Sequence, residues 1–358
     1  MVIKVFNQLL SAGMKNHASD LHFKTGSPPL FRINGEIREV KAPKLRTEDM
    51  QQIVLHLLQR QDLKTQIDEI LDYDTSYNLE GVGRFRVNIY RQKGQLAAIM
   101  RLIPLQIPDF EQLGLPPVVR QIASRERGMI LVTGVTGSGK SSTLASMIDF
   151  INKNKRKHIL TIEDPIEFMH QDQKSTVSQR EIGLDTQTFV GSLRQALRQD
   201  PDVLLLGEMR DYETVDIALK AAETGHLVFS TVHTTDAART INRLVGMFPS
   251  EEQDLVRLRL VEALQAIISQ RLLPRKDGKG RALAVEIMIT TMSIAECIKD
   301  AAKTSQMTEY IEKGADQYGM QSFDQSLTNL YKSGQLALEV AKSAASNPAD
   351  FERALYVE

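Results

Sequence analysis

The sequence predicts an α/β protein: a domain built on a mostly parallel sheet, preceded by a smaller N-terminal α+β domain. Three observations predict it. A glycine-rich stretch, Gly134-Val135-Thr136-Gly137-Ser138-Gly139-Lys140-Ser141, lies between a short apolar run and a helical one. Beyond it, strand-like and helix-like segments alternate, as they do when helices cover both faces of a parallel sheet. Before it, a hairpin and a period-two strand stand apart behind a Pro/Gly-rich stretch.

The N-terminal third comes first. Val2 to Lys15 reads as a helix with Val5, Leu9 and Leu10 on one face. Ala18 to Phe23 turns into a strand. Phe31 to Arg38 reads as a hairpin, because Asn34-Gly35 suits a two-residue turn with positive φ. Thr47 is placed to cap a helix that has Glu48 and Asp49 in its first turn and runs through Ile53, Leu57 and Leu58. In Arg84-Phe85-Arg86-Val87-Asn88-Ile89-Tyr90-Arg91, apolar residues alternate with cationic and polar ones, which predicts a half-buried strand. Five cations and no acids lie between Gly81 and Arg101. That run reads either as a solvated strand face or as arginines that reach a phosphate. Ile107 to Pro117 reads as a linker. The boundaries expected are 1–105 for the first domain, 106–117 for the linker and 118–358 for the second domain.

Gly128 to Thr133 predicts a buried strand running into the glycine-rich stretch, and Ser142 to Ile151 a helix running out of it. In that setting G-x-x-x-x-G-K-S is a phosphate-binding loop. Glycines let successive N–H groups turn toward phosphate oxygens. The helix N-terminus favours an anion. Gly134, Thr136, Gly137, Ser138, Gly139, Lys140, Ser141 and Ser142 are therefore the nucleotide-binding candidates, with Lys140 reaching the terminal phosphates and Ser141 ligating Mg2+.

Ligands on parallel sheets sit at the carboxyl ends of strands. His158 to Ile162 predicts a strand that delivers Glu163 and Asp164 there, with Pro165 ending it. An acid so placed can orient or deprotonate an attacking water; otherwise it is a solvated acidic loop. Pro201 to Glu208 predicts a second such strand, with Glu208 placed to hold Mg2+ through its water shell and Gly207 where an Asp is commoner. Arg210 and Asp211 are expected to pair. A third strand runs from His226 to His233. Each histidine is either a phosphate contact or partner to an acid, or a structural residue. Their spacing puts the rings on opposite faces and does not suit zinc. Thr235 is read as the cap of a helix over 236–247, and Ser250 as the start of a long helix through Leu255, Leu258, Val261, Leu264 and Ile268. Arg275 to Arg281 reads as a hairpin tip, Ala284 to Ile289 as a strand, and the rest as helices broken at 318–324.

The 358 residues suggest two or three domains, and 42 % apolar residues suffice for their cores. A net charge of −1 gives no global attraction to nucleic acid or anionic membrane. A lone Cys297 excludes an internal disulfide and a thiolate zinc cluster, and reads as a buried apolar residue. The N-terminus does not read as a signal peptide, and no stretch approaches the roughly 20 apolar residues of a membrane span. The expectation is a soluble cytoplasmic protein, with ATP and Mg2+ available to the loop.

These motifs, in this order, closely resemble the type IV pilus retraction ATPases of the PilT type, within the secretion ATPase superfamily. The resemblance rests on Ala18-Ser19-Asp20-Leu21-His22, the phosphate loop, and Thr161-Ile162-Glu163-Asp164-Pro165-Ile166-Glu167. It also rests on Glu208-Met209-Arg210-Asp211, the segment from Thr224-Gly225-His226 to His233-Thr234, and Gly319 to Leu327. It implies a PAS-like N-terminal domain joined to a RecA-like ATPase domain, a homo-hexameric ring, and nucleotide between the two domains. It further implies Glu163 as the catalytic acid, Glu208 as the acid near Mg2+, and His226 in a histidine box at the active site. Arg84, Arg86 and Arg91 would close on the phosphates. The partner implied is an inner-membrane pilus platform protein, reached from the cytoplasmic face, and the activity is ATP-driven pilus retraction and twitching. Two departures matter. Ile294 to Asp300 lacks most basic residues of the corresponding retraction-ATPase helix, which fits an accessory paralogue assisting a main motor. The large extra N-terminal domain and four-cysteine motif of extension ATPases are not seen, which favours the retraction branch. A DNA-translocating RecA-like ATPase is the remaining alternative, disfavoured by the charge balance.

Overall fold

The computed structural model describes residues 2–33, 35–58, 64–65, 67–103 and 106–355. The chain forms two compact units. The first comprises Met1–Gln106, Asp164–Met169 and Glu181–Gln187; the second comprises Ile107–Glu163, His170–Arg180 and Thr188–Glu358. The division in the first part of the chain follows Gln106; Leu105, where the boundary was expected, lies outside the described residues.

The first unit is built on a six-stranded sheet of order β3-β2-β1-β6-β5-β4. Its strands are β1 (Asp20–Lys24), β2 (Leu30–Ile33), β3 (Glu36–Glu39), β4 (Asp72–Leu79), β5 (Gly83–Gln92) and β6 (Gln95–Ile103). All of its pairings are antiparallel. Alternation on β5 works as the pattern requires: Phe85, Val87 and Ile89 are fully buried, and Arg86 is exposed. Helices Val2–Lys15 and Thr47–Leu57 contribute Phe6, Leu10, Met50, Ile53 and Leu57 to the same core. Each such side chain stabilises the unit by about 1.5–3 kcal/mol. β2 and β3 pair from Ile33↔Glu36, with Gly35 at φ 86°; Asn34 of the predicted turn is outside the described residues. Thr47 is the first helical residue, not the cap. Arg46 precedes it, and Asp49 reaches back to accept from the Arg46 N–H at 2.9 Å.

The second unit carries a seven-stranded sheet of order β13-β12-β7-β11-β10-β8-β9. The strands are β7 (Gly128–Thr133), β8 (His158–Glu163), β9 (Thr176–Glu181), β10 (Val203–Leu206), β11 (Leu227–Val232), β12 (Leu264–Pro274) and β13 (Arg281–Ile289). From β12 through β7, β11 and β10 to β8 every pairing is parallel, and β13 returns antiparallel to β12. β7, β10 and β11 are buried along their whole length, as strands covered on both faces must be.

Three local expectations change. The helix expected from Ser250 to Ile268 ends at Ala263, and Leu264 and Ile268 belong to β12. An apolar run buried on both faces satisfies either period, and pairing with β7 decides for the strand. The helix after β11 spans Ala237–Val245, and Asp236, not Thr235, caps it by accepting from the Arg239 N–H at 2.8 Å. Within the Pro/Gly-rich stretch, Phe110–Leu113 forms a short helix between Asp109, which accepts from the Gln112 N–H, and Gly114 at φ 71°. Phe110 is buried, its ring 5.5 Å from that of Phe150. Cys297 is buried, as expected.

Glu286 on β13 is an unusual core residue, only 4 % exposed. Its carboxylate accepts from the Ala237 N–H at 2.7 Å and from the Ser269 hydroxyl at 3.2 Å. Burial is the main cause that pushes its pKa up to about 7. The folded state thus holds this proton more tightly than the unfolded chain, whose glutamates titrate near about 4.3. Its contribution to stability is full below that value and is lost as pH rises toward about 7. Glu286→Gln removes the dependence. Thermal melts followed by circular dichroism should show a flatter decline in Tm between about pH 5 and pH 7 than the unsubstituted protein. Identical slopes would mean that Glu286 does not titrate in that window.

Candidate active site

The phosphate loop is assembled by the strand that precedes it. β7 is buried throughout and releases the chain at Gly134. Only glycine fits there: a Cβ would lie 2.5 Å from Ser138 Oγ and 2.6 Å from the Gln270 carbonyl oxygen, at φ 144°. Gly139 takes the left-handed region at φ 94° and starts the helix Lys140–Asn154. The first backbone bond into that helix runs from the Thr143 N–H to the Gly139 carbonyl at 3.1 Å. The N–H groups of the first turn, at Lys140, Ser141 and Ser142, face the loop with the positive end of the helix dipole behind them. Lys140 is mostly buried and folds over the loop, donating to the carbonyls of Gly134 at 2.8 Å and Val135 at 3.1 Å. Ser138 Oγ is buried with no hydrogen-bond partner. A buried hydroxyl with no partner, a lysine resting on carbonyl dipoles and a helix N-terminus together suit a phosphate chain.

Register brings the acids to the same edge. Val232 pairs with Thr133, Leu206 with Ser230, and Leu206 with Ile162. The chain therefore leaves β7, β11, β10 and β8 on the same side of the sheet, the loop's side. Neighbouring strands are about 4.8 Å apart, so the ends of β11, β10 and β8 lie roughly 5, 10 and 14 Å from the end of β7. His233 follows β11 directly, Glu208 lies just past β10, and Glu163 is the last residue of β8. Glu208 pairs with Arg210 and has His233 Nε2 3.3 Å away. Arg210 thus reaches back to Glu208, whereas Asp211, its expected partner, caps the helix Tyr212–Glu223 by accepting from the Thr214 N–H at 2.9 Å. The turn carrying Glu208 is pinned: Met209 N–H donates to Thr231 O at 3.0 Å, and Thr231 Oγ1 donates to Gly207 O at 2.8 Å. Glu163 Oε1 accepts from Thr161 Oγ1 at 2.7 Å and from Gln179 Nε2 at 3.1 Å. Gln179, on β9, lies outside the motifs read in the sequence, and the fold brings it beside Glu163.

His226 is not brought to this edge. It precedes β11 and accepts from the Gly128 N–H through its carbonyl at 3.0 Å, so it lies beside the start of β7. Six residues of strand put it about 20 Å from the loop's end of the sheet. Its Nδ1 donates to Ala221 O at 3.0 Å and closes the end of the helix Tyr212–Glu223. Within one chain, His233 is the histidine of the carboxylate edge.

The three arginines lie in the first unit and differ in their engagement. Arg84 pairs with Glu181 and donates to Ser76 Oγ at 2.7 Å. Glu181 also accepts from the Ile166 N–H at 3.0 Å. Both side chains of the pair are shielded, at 12 % and 2 % exposure, so removing one partner costs about 3–5 kcal/mol. Arg91 donates to the carbonyls of Ile70, Gly94 and Ile67 at 2.9, 2.9 and 3.1 Å, which closes the turn before β4. Arg86 is exposed and faces Ser76 and Arg101 across the ladder.

The oxygen donors suit a hard cation. Ser141 and Glu208 offer a hydroxyl and a carboxylate, the type and small number that Mg2+ takes when phosphates and waters complete its shell. Among the described residues no three His, Cys, Asp or Glu side chains cluster as a metal cage.

The family described as type II/IV secretion system protein matches residues 1–334 of the chain. The chain is 45 % identical over 344 residues to the type IV pilus retractation ATPase PilT of Pseudomonas aeruginosa, covering 96 % of this chain and 99 % of that protein. It is 45 % identical over 319 residues to a twitching motility protein of Neisseria gonorrhoeae, covering 89 % and 84 %. The crystal structure of the pilus retraction motor PilT with bound ADP superposes with a TM-score of 0.89 at 46 % identity, over 97 % of this chain and 98 % of that one. The fold is that of the secretion ATPases, a RecA-like domain with a smaller N-terminal α+β domain. The chain belongs to the type II/IV secretion system protein family.

Proposed function

We propose that the protein is an ATP-hydrolysing motor that powers retraction of type IV pili and thereby twitching motility. The observation that carries this reading is near-full-length similarity to the retraction ATPase, combined with a phosphate loop and two carboxylates at one sheet edge. The division of labour follows from chemistry. Lys140 and the N–H groups of the loop bind the triphosphate of ATP. Ser141 and Glu208 hold Mg2+, which offsets charge on the phosphates. Glu163 orients and deprotonates the attacking water. Arg86, exposed on its strand, supplies positive charge to a phosphate, whereas Arg84 and Arg91 keep their own partners. We read residues 1–105 as the N-terminal domain, 106–117 as its connection and 118–358 as the ATPase domain.

In this reading the working form is a homo-hexamer, with the N-terminal domain of one subunit completing the site of its neighbour. The ring acts at the cytoplasmic face of the inner membrane on a pilus platform protein. No helix among the described residues is long and apolar enough to cross a membrane, so attachment through such a partner fits. A second reading, an accessory paralogue that assists a main motor, is favoured by one observation. The segment Ile294 to Asp300 lacks most of the basic residues of the retraction-type helix. Deleting the gene tests both readings: loss of twitching and pilus withdrawal supports the main motor, and a partial defect that a second retraction ATPase relieves supports the accessory role. Normal withdrawal without such a paralogue would overturn both.

Two solution experiments address the site. Lys140→Ala should abolish binding of a fluorescent ATP analogue, while Glu163→Gln keeps binding and lowers kcat by about 100-fold or more, as loss of a general base does. Equal loss of binding in both variants would refute this division of roles. Mg-ATPase activity per subunit should rise steeply with protein concentration and then saturate, because the site is shared between subunits. Activity that stays flat in samples shown by sizing to be monomeric would exclude a shared site.

A further inference from the structure

We propose that Gln179 is a positioning residue for Glu163, fixing the orientation from which that carboxylate serves the attacking water. The proposal rests on the role of Glu163 as the base.

The orientation of the Gln179 amide is set by its surroundings. Its Oε1 accepts from the backbone N–H of His170 at 2.7 Å. A backbone N–H can only donate, so the oxygen of the amide must be the atom on that side. The NH2 group is then presented to Glu163, where it donates to Oε1 at 3.1 Å. Thr161 Oγ1 donates to the same oxygen at 2.7 Å, from two residues earlier on β8. Two donors converging on one oxygen restrict rotation of the carboxylate about its last bond. Neither donor is mobile: Thr161 is fully buried within the strand, and the Gln179 amide is held from behind by main chain. Catalysis by a single carboxylate is sensitive to such placement, since a displacement of about 1 Å can cost 100-fold.

The test is steady-state kinetics on the full chain at a concentration where activity has saturated. Gln179→Met keeps the length of the side chain and removes the donor. It should lower kcat roughly 10- to 100-fold, with KM for MgATP and ADP affinity within about twofold of the original. Gln179→Asn keeps an amide but is one methylene too short, and should behave the same way; it stands in if Gln179→Met does not fold. The decisive comparison places either change in the Glu163→Gln background, with residual rates read by single turnover at excess enzyme. A residue that acts only through Glu163 causes no further loss there. An undiminished kcat in the single variants, or losses that multiply in the double variant, would overturn the proposal. A normal rate in Glu163→Gln alone would instead remove the role of Glu163, an outcome distinct from either result for Gln179.

Discussion

Parallel pairing of β7, β11, β10 and β8 is the constraint from which the site follows. Parallel strands deliver all their carboxyl ends to one edge, so a phosphate loop, a histidine and two acids far apart in sequence arrive side by side. Close packing of differently shaped side chains on the two covered faces makes this register firm. A slip of one residue would turn each strand's side chains to the opposite face of the sheet. The positions of Glu163, Glu208 and His233 are thus inherited from packing of residues that have no part in chemistry, such as Ile130, Leu205 and Phe229.

A second layer of control is local and polar. Each acid at the edge is held by neighbours of a different kind: Glu208 by Arg210 and His233, Glu163 by Thr161 and Gln179. Arg210 and His233 restrict how the Glu208 carboxylate turns. The two donors on Glu163 restrict how its carboxylate turns.

Much of this was legible in the sequence. The loop announces itself because Gly134 and Gly139 occupy conformations or spaces closed to other residues, and Lys140-Ser141 completes the motif. The acids are legible because strand ends in parallel sheets are where ligands bind. β5 is legible because its one buried face imposes strict alternation. The first residues of β12, Leu264 to Ile268, suit a helix as well as a strand, because a strand buried on both faces carries no distinguishing period. His233 follows the carboxyl end of β11 and His226 precedes its start, so chain direction separates the loop's edge from the opposite one. Engagement of Arg84 by Glu181 was hidden because the residues are far apart in sequence and the pairing depends on tertiary contact. Gln179 escaped for the same reason.

The strand that carries Gln179 lies at the margin of the seven-stranded sheet. Exposed margins invite another chain to add itself, and proteins discourage this with polar side chains. Thr176-Val177-Ser178-Gln179-Arg180-Glu181 has that character. Replacing these residues with valine or isoleucine would favour the extended conformation and at the same time create a template for aggregation. The segment also contains Gln179, which donates to the Glu163 carboxylate at 3.1 Å. A substitution in this short segment therefore reaches both the edge of the sheet and the setting of the Glu163 carboxylate.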